Sequence, residues 1–435
     1  TGSIGKEGGG LQVANAPIAR GMNQFGASDI GPAFRIISAT TWDYDHAEMK
    51  QLNAKMYGQE LADEFDEHYR KSIEEDWFPD YSKNGWKMGF FAGNNGANWR
   101  ATGSLWRKTA FEELETIVAL TPDMGVTAMY ADYVLPIAHH YERNDLMLQS
   151  RIPYLQVLNE AVIPLGESVD DWEANRRLAE AISKRAKQRN VKPILDAVDG
   201  RSVRRDYTKT LELYTMGGRI NNSKDVAQFI INTSHGIPKI SFEELSEKGI
   251  VRVNGVENTM WDNEESPYHT EVVKSVVHKH PYETFTGRQQ FYIDHEWFIE
   301  FGETLPTFKE PLSIKGYPMR MMMGHARHGI HSTWRDDSLL LSLQRGEPDI
   351  YINPDDANAR GVNDGDMVRI YNSAGEFFAM AHVSSGIQPG MLFMYHGWDP
   401  KMFKNQKNFG EVIPTGGLIK PTSMAGDYGH LGYRP

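Results

Sequence analysis

Two stretches decide the fold class of this chain: Met88-Gly89-Phe90-Phe91-Ala92-Gly93-Asn94-Asn95-Gly96-Ala97-Asn98, and Thr116-Ile117-Val118-Ala119-Leu120-Thr121-Pro122-Asp123-Met124-Gly125. Trp86–Gly93 reads as a buried strand ending in an Asn-Gly loop, and Thr116–Leu120 as a second apolar β-run closed by a Pro-Asp-Met-Gly turn. A short helix over Ala110–Glu115 is expected between them, and another from about Thr127. Tyr133-Val134-Leu135-Pro136 then reads as a further strand stopped by proline. Short strands alternating with helices, with turns at the strand C-termini, indicate a parallel α/β sheet.

Upstream, the pattern predicts one helix near Ala47–Leu61, followed by an acidic and aromatic loop from Glu74 to Asp80. Downstream, Asp170–Arg189 is an amphipathic helix with Trp172, Ala174, Leu178, Ala179 and Ile182 at helical spacing. From Met319 the texture changes. Ile350–Ile352, Met367–Tyr371, Phe377–Val383 and Met391–Tyr395 are short β-runs. Turns separate them: Asn353-Pro354-Asp355-Asp356, Asn363-Asp364-Gly365-Asp366, Asn372-Ser373-Ala374-Gly375 and Pro389-Gly390. Close spacing of short strands predicts a compact β-barrel. The expected fold is therefore α/β plus β. Residues 1–190 are the C-terminal part of an α/β dinucleotide-binding domain, 191–317 a mixed connecting region, and 318–435 a C-terminal β-barrel cofactor-binding domain.

Composition narrows the function classes. The 435 residues suffice for two or three domains, with 40% hydrophobic and 24% charged residues, as in ordinary globular proteins. A net charge of −12 argues against a nucleic-acid surface. No apolar run is long enough to span a membrane. There is no cysteine, so disulfides, thiolate nucleophiles and iron–sulfur ligation within these residues are excluded. The opening Thr1-Gly2-Ser3-Ile4-Gly5-Lys6-Glu7-Gly8-Gly9-Gly10 has neither an initiator Met nor a signal-peptide pattern, and reads as the start of a truncated or processed chain.

Several positions suit a nucleotide carrying phosphates. The Gly93–Gly96 loop lies at a strand's C-terminal end, where small residues and backbone N–H groups admit an anion, although an Asn-Gly loop also serves as a plain turn. Asp123 ends the next strand. A carboxylate there can accept from both N1–H and the 2-amino group of a guanine, or it can act as a helix N-cap. His325-Ala326-Arg327-His328-Gly329-Ile330-His331-Ser332-Thr333 is the densest polar cluster. Donation to ring nitrogens and phosphates suits it better than a dedicated zinc site, because Gly329 weakens the helix that would align His325 with His328. Tyr395-His396-Gly397-Trp398 ends a strand, and Gly416-Gly417 leads into Lys420-Pro421-Thr422-Ser423, a lysine and hydroxyls beside glycines. No Walker A loop, Gly-x-Ser-x-Gly elbow, His-Glu-x-x-His or Gly-x-Gly-x-x-Gly turn occurs. Nucleotide hydrolysis, acyl transfer, zinc proteolysis and nicotinamide dehydrogenation are accordingly disfavoured.

The order of these signals resembles the molybdopterin oxidoreductases of the dimethyl sulfoxide reductase family, catalytic subunit, C-terminal half. The opening Thr1–Gly10 is similar to a glycine-rich segment found midway in that family. Asp123-Met124-Gly125-Val126-Thr127-Ala128, Tyr130–Pro136 and Glu142-Arg143 resemble its dinucleotide domain. Ile352–Ala357, Gly361–Val368 and Pro389-Gly390 resemble its C-terminal barrel. Gly287-Arg288, Phe291–His295, Gly302–Pro306 and Gly329–Thr333 look like the nitrate reductase-like clade. Tyr395–Pro400 and Ala425–Tyr433 bear a closer resemblance to its ethylbenzene dehydrogenase, dimethylsulfide dehydrogenase, selenate reductase and chlorate reductase group.

The resemblance implies molybdenum held by bis-molybdopterin guanine dinucleotide, with an iron–sulfur cluster and the protein ligand of molybdenum expected outside this segment. It implies that Asp123 binds one guanine, supported by Arg143 and Asp171, with Gly93 and Asn95 lining the phosphate loop. Gly324, His325, His331, Ser332 and Thr333 would cradle pterin, and His396, Gly417, Lys420, Thr422 and His430 would contribute from the barrel. The implied partners are the N-terminal half of the catalytic subunit, an iron–sulfur electron-transfer subunit and a haem b subunit. The implied activity is oxygen-atom transfer to, or hydroxylation of, a hydrocarbon or organic sulfur compound. The alternatives are anaerobic respiratory reduction of nitrate, chlorate, perchlorate or selenate, and a non-catalytic cofactor-binding or assembly module. The periplasm is the expected compartment, with the cytoplasmic face of the membrane as the alternative.

Overall fold

The computed structural model describes residues 48–74, 85–100, 102–148, 154–198, 201–234, 237–253, 275, 278–282, 284, 286–308, 314–327, 329, 331, 335–413, 418–420 and 432–434. They fall into two compact units. One holds the described residues of Leu135–Ile293, and the other those of Ala33–Val134 and Asp294–Pro435. Among the described residues no helix is long and apolar enough to cross a membrane.

The expected single N-terminal helix is two, α1 (Met49–Tyr57) and α2 (Gln59–Glu74). Gly58 separates them at φ +95°, a left-handed backbone that breaks the helical ladder. The α/β segment then runs β1 (Met88–Ala92), α3 (Gly96–Trp99), α4 (Gly103–Thr109), β2 (Thr116–Thr121), α5 (Val126–Tyr130) and β3 (Tyr133–Pro136). The strands form one sheet in the order β1-β2-β3, and β1 and β2 pair in parallel from Met88↔Thr116 to Ala92↔Leu120. β2 is buried along its length. β1, at the sheet edge, leaves Met88 and Phe90 exposed, so it is half-buried where a buried strand was expected. The helix expected over 110–115 lies earlier, at α4, because Trp106 packs on Phe111 with ring centroids 4.4 Å apart and the chain turns there. One core joins Met49, Leu52, Met56, Trp106, Phe111 and Ile117, so α1 packs on the sheet's helical layer.

The unit of Leu135–Ile293 contains the antiparallel sheet β4 (Asp145–Leu148), β5 (Tyr154–Leu158) and β8 (Ile250–Arg252), in that order, and a hairpin of β6 (Ile194–Val198) with β7 (Arg201–Arg205). Its long helix α6 (Asp171–Gln188) begins where sequence placed it, with the Asp170 side chain accepting from the Glu173 N–H. The buried face is Ala174, Ala179, Ser183 and Ala186, while Leu178 and Ile182 remain partly exposed. Helices α7 (Thr210–Tyr214), α8 (Ser223–Thr233) and α9 (Phe242–Lys248) follow. A second core gathers Leu155, Ile231, Ile237, Ile240, Leu245 and Val253.

In the C-terminal part, after α10 (Glu296–Phe301), the strands are β9 (Arg320–Gly324), β10 (Asp349–Ile352), β11 (Met367–Tyr371), β12 (Glu376–Val383) and β13 (Met391–Tyr395), with helix α11 (Pro354–Arg360) after β10. The expected closed β-barrel is not what the described residues form. They make an open five-stranded sheet of order β11-β12-β10-β13-β9. Closure fails because its outer strands, β11 and β9, do not pair, and because two of its pairings, β10 with β12 and β13 with β9, are parallel. Parallel neighbours need crossover connections, which turn a meander into a mixed sheet. The segment read as an Asn-Pro-Asp-Asp turn is the start of α11, with Asn353 as N-cap and Pro354 at the first turn, where its missing N–H costs nothing. Strands β14 (Leu418–Lys420) and β15 (Gly432–Arg434) pair separately.

Candidate functional site

The parallel pair β1-β2 sends its two C-terminal loops out at the same end, the position where open α/β sheets hold ligands. Gly93 leaves β1 at φ +59°, a turn that a side chain would strain. Asn95 ties the two loops together: its Oδ1 accepts from the Thr127 N–H at 3.0 Å and from Thr127 Oγ1 at 3.1 Å. Thr127 Oγ1 in turn accepts from the Ala97 N–H at 3.1 Å. Asn95 thus braces the loop, and Gly93 makes its turn.

Asp123 stands at the end of β2 with half its side chain exposed. Thr121 Oγ1 donates to Asp123 Oδ1 at 3.3 Å, and Arg335 Nη1 donates to Asp123 Oδ2 at 2.9 Å. Arg335 is almost wholly buried. Its Nε donates at 2.6 Å to Asp399, which is fully buried. Asp399 Oδ1 accepts from Asn98 Nδ2 at 3.1 Å, and Asn98 Oδ1 from Asn408 Nδ2 at 2.9 Å. Burial pulls the Arg335 guanidinium down, but its hydrogen bond and charge pairing with Asp399, with Asp123 adding to them, outweigh that and hold it above its ordinary value. Gly125 leaves room for this arrangement, since a Cβ there would lie 3.3 Å from both Arg335 Nη2 and Asn95 Nδ2.

A second cluster lies at the end of the C-terminal sheet. His325 follows β9 and His396 follows β13, neighbouring parallel strands in which Gly324 pairs with Tyr395. His331, at φ +50°, joins them. Ring centroids are 4.4 Å apart for His325 and His396, 4.7 Å for His325 and His331, and 5.2 Å for His331 and His396. One nitrogen from each lies within 4.8 Å of the others, a spacing that suits a divalent cation or the edge of a nitrogen heterocycle.

The structure therefore brings together Gly93, Asn95 and Asp123 at one site, and Gly324, His325, His331 and His396 at another. In the Leu135–Ile293 unit, Arg143 forms an ion pair with Asp171, the first residue of α6, and lies 3.5 Å from Asp145. Lys420 lies in β14, with its side chain outside the described residues, as are Ser332, Thr333, Gly417, Thr422 and His430 entirely. Sequence reasoning missed Arg335, Asp399, Asn98 and Asn408. Asp399 stood in the Tyr-His-Gly-Trp-Asp-Pro stretch already singled out, but nothing local in the sequence tied it to Arg335.

Comparison with known proteins matches two family models to this chain. The molybdopterin oxidoreductase family model matches residues 1–181, and that of the molydopterin dinucleotide binding domain matches 319–429. The respiratory nitrate reductase subunit alpha of Haloferax mediterranei is 34% identical over 90% of this chain and 40% of its own length. The dimethylsulfide dehydrogenase subunit alpha of Rhodovulum sulfidophilum is 33% identical over 85% of this chain and 40% of its own. The perchlorate reductase subunit alpha of Dechloromonas aromatica is 32% identical over 100% of this chain and 46% of its own. The chain thus spans less than half the length of these relatives. Among solved structures, acetylene hydratase from Pelobacter acetylenicus superposes with a TM-score of 0.56 at 16% identity, over 89% of this chain and 48% of that one, a likeness of fold. With both domain models matched in order along it, the chain belongs to the molybdopterin oxidoreductase family, dimethyl sulfoxide reductase type, and carries that family's dinucleotide binding domain.

Proposed function

We propose that this chain is the cofactor-holding C-terminal portion of a molybdenum oxidoreductase catalytic subunit that moves an oxygen atom to or from a small substrate. The observation that carries the reading is the Asp123 carboxylate, half-exposed at the end of β2 and braced from behind by Arg335. It offers acceptor oxygens to a base edge that presents two adjacent donors, which guanine does. The donor set at the second cluster fits the remainder of the group. Three imidazoles, each able to donate and accept, converge as a nitrogen-rich pterin edge requires.

When bound, the molybdenum centre supplies two-electron oxygen-atom exchange with the substrate. The share of this chain is to bind and orient. Asp123 fixes the guanine, the Gly93–Gly96 loop admits phosphate, and His325, His331 and His396 hold the pterin edge in place. Electrons would leave through iron–sulfur groups in the rest of the subunit and in a partner subunit.

For the substrate, reduction of an oxyanion is favoured by the likeness to subunits named for nitrate and perchlorate reduction. Oxidation of a small organic sulfur compound is the second reading, supported by the likeness to dimethylsulfide dehydrogenase. Molybdenum, iron and guanine nucleotide are measured on the complex purified natively, followed by turnover of nitrate, perchlorate and dimethylsulfide. Stoichiometric molybdenum with released guanine nucleotide is expected. A preparation free of molybdenum and pterin would overturn the enzyme reading in favour of a non-catalytic assembly module.

A further inference from the structure

We propose that Arg335 is the positioning residue for base selection: it holds the Asp123 carboxylate in the orientation that distinguishes guanine from bases lacking a 2-amino group. The inference rests on Asp123 as the guanine acceptor and adds to it a residue 212 positions away in sequence.

An exposed aspartate rotates about two side-chain bonds, and an unbraced one at a loop presents its oxygens in many directions. Asp123 does not have that freedom. Oδ2 accepts from Arg335 Nη1 at 2.9 Å, and Oδ1 lies 3.3 Å from Thr121 Oγ1. An ionised carboxylate has about four acceptor positions. One bond to each oxygen leaves each with capacity for a base donor.

The brace is itself fixed. A guanidinium is planar, so anchoring its Nε also aims its Nη1. That anchor is Asp399, at 2.6 Å and out of reach of water. Asp399 is oriented by Asn98, Asn98 by Asn408, and Asn408 Oδ1 by the Gly410 N–H at 3.0 Å. Every side chain in this run apart from Asp123 is buried. A rotation of Arg335 would break a buried charge-assisted bond, so the run transmits a fixed direction to the one exposed carboxylate. Gly125 completes the cradle by keeping a Cβ out of the space beside Arg335 Nη2.

A lysine at 335 keeps the charge near Asp399 but has no planar fork with which to aim a second bond at Asp123. The test compares binding of GMP and IMP, which differ by the 2-amino group, by calorimetry on the full chain purified without cofactor. Wild-type chain is expected to prefer GMP by at least about tenfold, the worth of one hydrogen bond to a charged group. Arg335→Lys should bring the two nucleotides to near parity, mainly by weakening GMP, while IMP binding and the unfolding midpoint stay close to wild type. If Arg335→Lys keeps the wild-type preference while Asp123→Asn loses it, the positioning role is overturned and the guanine reading stands. If Asp123→Asn keeps the preference too, the guanine reading falls and the inference with it. Should Arg335→Lys unfold non-cooperatively, Asn98→Ala takes its place, because three hydrogen bonds separate Asn98 from Asp123. A reduced GMP preference supports the run, and an unchanged one overturns it.

Discussion

The backbone N–H of His396 donates to the carbonyl of Gly324 at 3.0 Å, extending the parallel pairing of β9 and β13 by one step. That step places His325 and His396 side by side where the two strands end, so the imidazole cluster is a product of strand register. The approach depends on Gly324 having no side chain. A Cβ there would lie 2.8 Å from Phe393 Cζ and 3.1 Å from its Cε2.

Gly324→Ala should therefore push Phe393 aside and spread the two histidines. The expected cost is about 1–3 kcal/mol, as for other overpacked sites, together with reduced pterin retention. Urea unfolding and the fluorescence of acid-released pterin measure both. Wild-type values for the two would show that the register is not set by this contact.

Among the described residues Arg335 and Asp399 form the most deeply buried ion pair, and removing one partner is expected to cost more than removing both. Asp399→Ala takes from a buried guanidinium its buried counter-charge and leaves the half-exposed Asp123 as its paired carboxylate, with a predicted loss of about 3–5 kcal/mol. The double replacement Arg335→Met with Asp399→Leu should recover most of that loss, because no charge remains to be desolvated. Denaturant midpoints of the single and double variants decide the point. Equal losses would mean that the pair contributes only packing.

Much of this fold could be read locally. The runs Thr116–Leu120 and Tyr133–Pro136, the helix capped by Asp170 and the four C-terminal β-runs all have periods and punctuation contained in a few residues. Asp123 was legible for the same reason, as the turn residue after an apolar strand. The barrel was misread because closure is a property of partners: that Ile350 pairs in parallel with Ala381 while Tyr351 pairs antiparallel with Phe393 is not encoded in the spacing of either strand. Arg335 was overlooked because an arginine before two aspartates looks like a solvated turn. Its burial comes from Asp399, 64 residues on. His396 was named for its place after a strand, but its meeting with His331 needed the register of β13.

Glu411 offers a test of how the α/β segment is joined to the C-terminal part of the same unit. Its buried carboxylate accepts from the Ser104 N–H at 2.9 Å and from Ser104 Oγ at 2.5 Å, at the start of α4. Its backbone carbonyl sits where a Cβ at Gly375 would be, 2.6 Å away. Gly375→Ala must displace backbone, and a loss of about 1–3 kcal/mol is predicted. Glu411→Gln, which keeps the shape and one acceptor, should cost about 1–2 kcal/mol. Both are read from thermal unfolding, and a Gly375→Ala chain as stable as wild type would show that the loop at Glu411 yields freely.

The pH dependence of stability should carry a signature of Glu173, in the first turn of α6. Its carboxyl is held down to about 2, first by the hydrogen bond from Arg176, against the opposing effect of burial, and then by Arg177. An unfolded glutamate titrates near about 4.3. A group whose folded pKa lies below its unfolded one contributes stability that is present above the unfolded value and is lost as pH falls towards the folded one. The contribution should therefore be complete above about pH 5 and fade between about pH 4.3 and about 2. Because the carboxylate is only part-buried and its partner Arg177 lies exposed at the surface, screening limits its worth to less than about 1 kcal/mol. Glu173→Gln should accordingly unfold slightly below wild type at neutral pH, with the difference shrinking below about pH 4. A difference that stays constant across that range would assign the effect to capping and packing of the helix, since neither depends on the charge of Glu173.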